Sequence, residues 1–163
     1  MSQGTIHVFS KYANLLPQGA LAPLWGSDAI KFGIITSAVT PSITDSDPRW
    51  GAGGSQNYAT NEVTPGGNYS AGGIALVSPV LTLSGAVTSA KATSPLSFAS
   101  NPSNPIGCAW GIFYDSTEAG FHAFAFADLR DSLGADISTV AGFSFNLAGQ
   151  LTGAQQVFTI TAT

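Results

Sequence analysis

Charge is what this chain has least of. Of its 163 residues, five are Lys or Arg and nine are Asp or Glu. Together they make up 9%, against roughly 25% in an average soluble protein, while apolar residues keep an ordinary 44%. Five cations and a net charge of −4 exclude the basic footprint that nucleic-acid binding requires. Cysteine is almost missing. Cys108 stands alone, which excludes an internal disulfide framework and a cysteine-based zinc site. Its neighbours Ile106, Ala109 and Trp110 mark it as a buried structural thiol. Long apolar runs are absent too, since no stretch approaches the roughly 18 residues of a membrane span. No charged n-region followed by an apolar run and a cleavage site opens the sequence, so the expectation is synthesis in a cytoplasm and no membrane partner.

The missing charge is replaced by Ser, Thr, Asn, Gln and Gly. A free cytosolic monomer uses charge to stay soluble and to blunt exposed sheet edges. A surface this neutral points to a working state that is assembled, with neighbours covering much of the outside; the alternative is a secreted or stable β-protein with a Ser/Thr-rich surface. The length is that of one domain, long enough to bury a real core.

The stretch that organises the chain is Asn61 to Leu76, NEVTPGGNYSAGGIAL, which sets two glycine pairs around one tyrosine and then runs into an alternating apolar segment. It reads as a turn, a corner and a strand. Gly66-Gly67 suits a tight turn, and Gly72 and Gly73 are expected where φ is positive or where backbones come close. Tyr69 has a ring to bury and a hydroxyl to place. A phosphate-binding loop would open a helix and carry a lysine nearby, but here Ile74, Leu76 and Val77 follow with no cation.

In chain order, residues 5 to 12 read as a first strand. Ala13 to Asp28 is an irregular arm, broken by Pro17, Gly19, Pro23 and Gly26. That arm still carries Leu15, Leu16, Leu21, Leu24 and Trp25, an apolar load that must pack on its own core or on a neighbour. Residues 30 to 36 form a strand with β-branched ends. Ser37 to Tyr58 is loop-like. Residues 74 to 88 give a strand or hairpin broken around Pro79, which suits an edge or a bulge. A short strand is expected at Leu96 to Ala99. Ile106 to Tyr114, the most apolar stretch, is the expected central strand; Asp115 to Gly120 turns, and Phe121 to Asp128 returns with both faces apolar enough to be covered. Residues 129 to 139 form a turn-rich excursion with room for one helical turn. Gly142 to Leu147 and Gln156 to Thr161 close the series. About eight short strands and no long helix predict an all-β single domain, an antiparallel β-sandwich or strongly bent sheet with long loops. Residues 1–28 supply the first strand and the arm, and residues 29–163 the β-sandwich.

The polar clusters read as structural. Asp45, Asp47 and Arg49 lie in a Pro-rich loop, where turn chemistry and a local ion pair are expected, and the spacing of a calcium loop is missing. His7 and His122, the two histidines, lie in separate segments without a second ligand at metal spacing. The few Asp, Glu and His form no set of nucleophile, base and orienter, so no catalytic residue, metal or cofactor is expected.

Four segments resemble a known family in order and approximate spacing: DAIKFGIITSAVTP (Asp28 to Pro41), NEVTPGGNYSAGGIAL (Asn61 to Leu76), CAWGIFYDST (Cys108 to Thr117) and FSFNLAGQL (Phe143 to Leu151). They are similar to the small virion structural proteins of tailed bacteriophages. The likeness covers nearly all of the chain after the arm and is most specific in the NEV…Y…AGG block. The chain departs from the pattern in a longer loop at Ser42 to Thr60 and in the excursion at Leu129 to Val140. The resemblance implies a head decoration (cement) protein on the outer capsid surface, docked on the lattice of major capsid protein. An alternative role is a tail or fibre component that binds a host-surface glycan through exposed Trp25, Trp50 or Tyr58. The arm from Ala13 to Trp25 is the expected assembly element, packing on another subunit within a trimer, with each buried leucine contributing on the order of 1.5 to 3 kcal/mol. The residues expected to serve structure or interface are thus Leu15, Leu16, Leu21, Leu24, Trp25, Trp50, Tyr69, Gly72 and Gly73.

Overall fold

The computed structural model describes residues 5–15, 28–67, 69–84, 87–93, 96–98, 107–138, 143–145 and 154–161. Fourteen strands and one short helix follow one another among them. They are β1 (Ile6–Val8), α1 (Ser10–Leu15), β2 (Ile30–Ile35), β3 (Pro48–Arg49), β4 (Gln56–Asn57), β5 (Ile74–Ala75), β6 (Val77–Ser84), β7 (Val87–Thr93), β8 (Leu96–Phe98), β9 (Gly107–Cys108), β10 (Trp110–Asp115), β11 (Ala123–Asp128), β12 (Ile137–Ser138), β13 (Phe143–Phe145) and β14 (Ala154–Thr161). The fold is all-β. Its main element is a five-stranded antiparallel sheet in the order β1-β11-β10-β2-β5, accompanied by smaller sheets. No helix among the described residues is long and apolar enough to cross a membrane.

The strands richest in β-branched and aromatic residues take the centre of that sheet. β10 pairs with β2 from Trp110↔Ile35 to Asp115↔Ile30, and with β11 on its other side. Every residue of β10 and β11 is buried. Phe32, Phe113 and Phe126 are fully covered, and burial of each contributes roughly 1.5–3 kcal/mol. Stretches that are apolar on both faces can survive only where both faces are packed, which is why these two strands sit inside. Phe9 and Tyr58 pack near Phe126 on one side, and Phe32 meets Phe113 with ring centroids 4.7 Å apart on the other.

Pro79 lies in β6, an edge strand of the three-stranded sheet β14-β7-β6, at a shift of register between Val77 and Val80. A residue without an N–H fits there because an edge strand has a side with no partner. β8 pairs with β13, and β9 with β12. Ala92 of β7 and Leu96 of β8 belong to the same buried cluster as the main sheet.

Three local expectations need correction. The first strand stops at Val8, and Ser10–Leu15 forms a helix where an extended strand and the start of an irregular arm were expected. The turn buries Phe9 and Tyr12 together, and helical spacing brings residues three apart onto one face. The loop from Ser37 to Tyr58 contains a short parallel pair, β3 with β4, and ends in a 3-10 turn, Tyr58–Asn61. Among the described residues the excursion after Leu129 is built of turns and β12, without a helical turn.

Candidate functional site

The two halves of the block Asn61 to Leu76 lie along the outer edge of β2. Toward one end, the amide of Val63 donates to the carbonyl of Ile34 (3.1 Å) and the amide of Thr36 donates to the carbonyl of Asn61 (3.0 Å). Toward the other, β5 pairs with Lys31 and Phe32, and the amide of Leu76 donates to the carbonyl of Ile30 (2.8 Å). Between them the backbone ladder has a hole at the amide of Ile34. The hydroxyl of Tyr69 fills it, accepting from that amide at 2.9 Å. A side chain thus completes an edge that would otherwise offer unpaired groups to another strand.

The hydroxyl of Tyr69 donates in turn to Glu62 Oε1 (2.8 Å), and the same oxygen accepts the amide of Gly72 (2.7 Å). Burial pushes the Tyr69 hydroxyl well above its ordinary value, with the Glu62 carboxylate adding to the effect. It therefore remains a proton donor across the ordinary range of pH. Gly72 and Gly73 have φ of 81° and 83°. These are the positive values expected of them, in a region that L side chains rarely enter. A Cβ on Gly73 would overlap the backbone carbonyl of Phe32, so this position also needs the space. The hydroxyl of Tyr114 donates to the carbonyl of Gly72 and ties the corner to β10. Gly66 and Tyr69 close the intervening turn with reciprocal backbone bonds of 3.0 Å.

A second polar centre surrounds Asp47. Lys11 of α1 bonds its Oδ1, while the Nε and terminal nitrogen of Arg49 reach Oδ2 at 3.0 and 2.9 Å. Ser55 fastens the backbone of Asp47 from both sides, its hydroxyl accepting the Asp47 amide at 2.8 Å and its own amide donating to the Asp47 carbonyl at 2.9 Å. Burial alone would raise the Asp47 carboxyl, but the hydrogen bonds from Lys11 and Arg49 outweigh it and hold the group below the usual carboxylate range. His122 points Nδ1 at Asp47 Oδ1 from 3.8 Å and packs edge-on against Tyr12. Burial and then the Arg49 charge lower its pKa, so it is neutral at pH 7. Two cations on one carboxylate, closed by a buried imidazole and a buried phenol, make a clasp that holds α1 to the loop. Among the described residues no group of three or more His, Cys, Asp and Glu converges as a metal ion would require.

Trp50 and Tyr58 are only 4% and 0% exposed. Both are core residues: Trp50 serves structure, one of the two roles expected of it, and the expectation that either ring is exposed to face a glycan is corrected. Gly33 of β2 and Tyr114 of β10 make the slot for Trp50. The indole stacks on Tyr114 at 4.9 Å with 4° between the planes, and a Cβ on Gly33 would overlap it. Only the backbone of Leu15 is described, in α1, and Leu16, Leu21, Leu24 and Trp25 lie outside the described residues. Cys108 is buried, with its thiol pushed up to about 12 by burial. Sequence reasoning missed Glu62, although it is the single carboxylate in the glycine-tyrosine block. It also missed Lys11 as the partner of Asp47, a contact 36 residues apart that no local pattern announces.

No family model, curated protein or solved structure matches this chain.

Proposed function

We propose that the chain is a structural component of a phage virion, a head decoration (cement) protein that works through protein–protein contacts rather than chemistry. The observation that carries this reading is where the most specific block of the sequence directs its polar groups. Glu62, Tyr69 and Gly72 bond to one another and to β2, and Gly73 lies against the Phe32 backbone. Such a block secures a fold and leaves recognition to the surface. That surface is poor in charge, and repeated copies of a weakly charged protein pack into a dense lattice without accumulating like-charge repulsion.

In this reading the partners are the lattice of major capsid protein and further copies of the chain, and the location is the outer capsid surface. The protein contributes interface area repeated by symmetry, with an apolar centre and a polar rim. Quantitative mass spectrometry of purified virions of the phage that encodes it tests the proposal. On the order of hundreds of copies per particle is expected from a symmetric head lattice. A few or a few dozen would place it in a tail, and absence from the particle would overturn the reading.

A further inference from the structure

Helix α1 is the least self-sufficient part of the clasp at Asp47. It is six residues long, with no acidic residue in its first turn and no basic residue in its last. A helix that short does not stand alone in water, so its place depends on what it touches. The amide of Ser10 donates to the carbonyl of Ile43 (2.8 Å), and Lys11 bonds Asp47 Oδ1. The buried ring of Tyr12 packs edge-on against His122 and Phe124, with centroids 6.3 Å apart in each pair. Just before the helix the chain is fixed differently. β1 is paired with β11, and the amide of Phe9 donates to the carbonyl of Phe124 (3.0 Å). A hinge therefore lies between Phe9 and Ser10.

His122 lies under this helix, 8% exposed, and its Nδ1 has no hydrogen-bond partner. The Asp47 oxygen that it faces from 3.8 Å already accepts Lys11. Titratable groups meet the ring from every element around it. Lys11 and the phenol of Tyr12 come from α1, Asp47 and Arg49 from the loop and β3, and Glu118 from the turn before β11. Asp115 of β10 is the neighbour across the strands, its amide donating to the His122 carbonyl (3.0 Å). A neutral imidazole fits there. A protonated one carries an N–H on both nitrogens and needs acceptors or water. Asp47 would then have three cations around it, with the imidazolium and Lys11 competing for one oxygen. The other groups give little relief. Burial, and after it Asp28, raise the Asp115 carboxyl, so it loses charge early as acid is added; Glu118 has the weakest effect of the charges on His122; and the Tyr12 phenol, pushed up by burial, stays neutral.

Arg49 cannot yield easily. It holds Asp47 Oδ2 through two nitrogens, its backbone bridges to His122, and its guanidinium lies so close to Gly120 that an added Cβ would overlap it. Lys11 rides on the short helix. We propose that α1 is an acid-operated latch: when His122 takes up a proton, Lys11 gives up Asp47 to the imidazolium, and the helix swings away at the Phe9–Ser10 hinge. Tyr12 then leaves the ring, water reaches it, and the surface between Tyr12, His122 and Phe124 is uncovered while the main sheet stays folded. The sign follows from the closed form, in which burial and then Arg49 hold the His122 pKa below the ordinary 6.5. The latch is fully closed above about pH 6.5 and loosens as pH falls toward the lower value of the closed form. One proton changes the opening constant by at most about tenfold per pH unit, so a rise on the order of tenfold is expected between pH 7 and 5. The latch goes beyond the virion reading and stands without it, because it belongs to the isolated chain.

Hydrogen exchange of the full chain, read amide by amide, tests it. The amides of Ser10 and Tyr12, bonded to the carbonyls of Ile43 and Phe9, report on α1. Their protection factors, which remove the intrinsic effect of pH on exchange, should be smaller than those of β10 at pH 7 and at pH 5. They should also fall on the order of tenfold between the two, and the fall should vanish in His122→Gln. Protection equal to that of β10 would show that α1 has no opening of its own, and a fall that persists in His122→Gln would assign the response to another group. Either result overturns the proposal. Lys11→Gln should lower the protection of both amides already at pH 7; if it does not, Lys11 is not the bond that acid breaks, and the latch fails. Should a variant not fold, the wild type still decides. Titration of the His122 ring by NMR should give a midpoint below about 6.5, whereas a midpoint at or above it would mean that the closed clasp accommodates the imidazolium, which contradicts the latch.

Discussion

Two carboxylates organise two corners of this molecule, and they are held in different ways. Glu62 is satisfied by neutral donors, the hydroxyl of Tyr69 and the amide of Gly72, in a corner that completes the edge of β2. Asp47 is satisfied by cations, Lys11 and Arg49, with its side chain 25% exposed. Bonds from uncharged donors hardly respond to salt. An ionic clasp near the surface is screened by salt and titrates with acid. The difference separates a permanent part of the fold from one whose strength depends on the surroundings.

The largest expected effect breaks the neutral corner by force. Gly73→Val adds a side chain at φ 83° and drives it into the Phe32 carbonyl. Strain and displacement each cost about 1–3 kcal/mol, so a loss of roughly 2–6 kcal/mol is expected. Urea denaturation measures it, and a wild-type midpoint would show that the corner yields freely.

Tyr69→Phe is gentler. It keeps the ring and removes the hydroxyl, leaving the buried amide of Ile34 without its partner, at a cost of about 2 kcal/mol. The effect should be the same at low and high salt, a contrast with the ionic clasp that thermal melts in both conditions can read. Asp47→Asn comes next, with a loss of about 1 kcal/mol at low salt that shrinks as salt is added.

How much of this was legible in the sequence follows the same division. β-branched and aromatic density marked β2, β10 and β11, and the glycine pairs marked the corner, because strands and turns leave local signatures. Trp50 lies in a loop rich in Pro and Gly, where nothing local tells a structural ring from an exposed one. Its burial depends on a slot made by Gly33 and Tyr114, which meet only through strand pairing. Helix α1 was read as strand and arm for a related reason. The burial of Tyr12 and the bond from Lys11 to Asp47 are tertiary, and six residues of helix have no strong signal of their own.

The smallest effect expected is a dependence on pH, and it sharpens the comparison. His122 has its folded pKa below the ordinary 6.5. The unfolded chain therefore takes up a proton first, and stability present above about pH 6.5 declines as pH falls through that value. Asp47 acts with the same sign further down, its contribution being full above the ordinary 3.8 and lost as pH falls below it. Melting temperature measured from pH 7 to 5 should fall in the wild type and stay flatter in His122→Gln.

The central claim is that the block from Asn61 to Leu76 seals the edge of β2, and native-state hydrogen exchange reads it most directly. The amides of Ile34 and Gly72, bonded to Tyr69 and to Glu62, should exchange only through global unfolding, with protection matching that of the β10 amides both in dilute buffer and in about 1 M salt. Exchange of either amide at the rate of an open loop, while the amides of β10 stay protected, would contradict it.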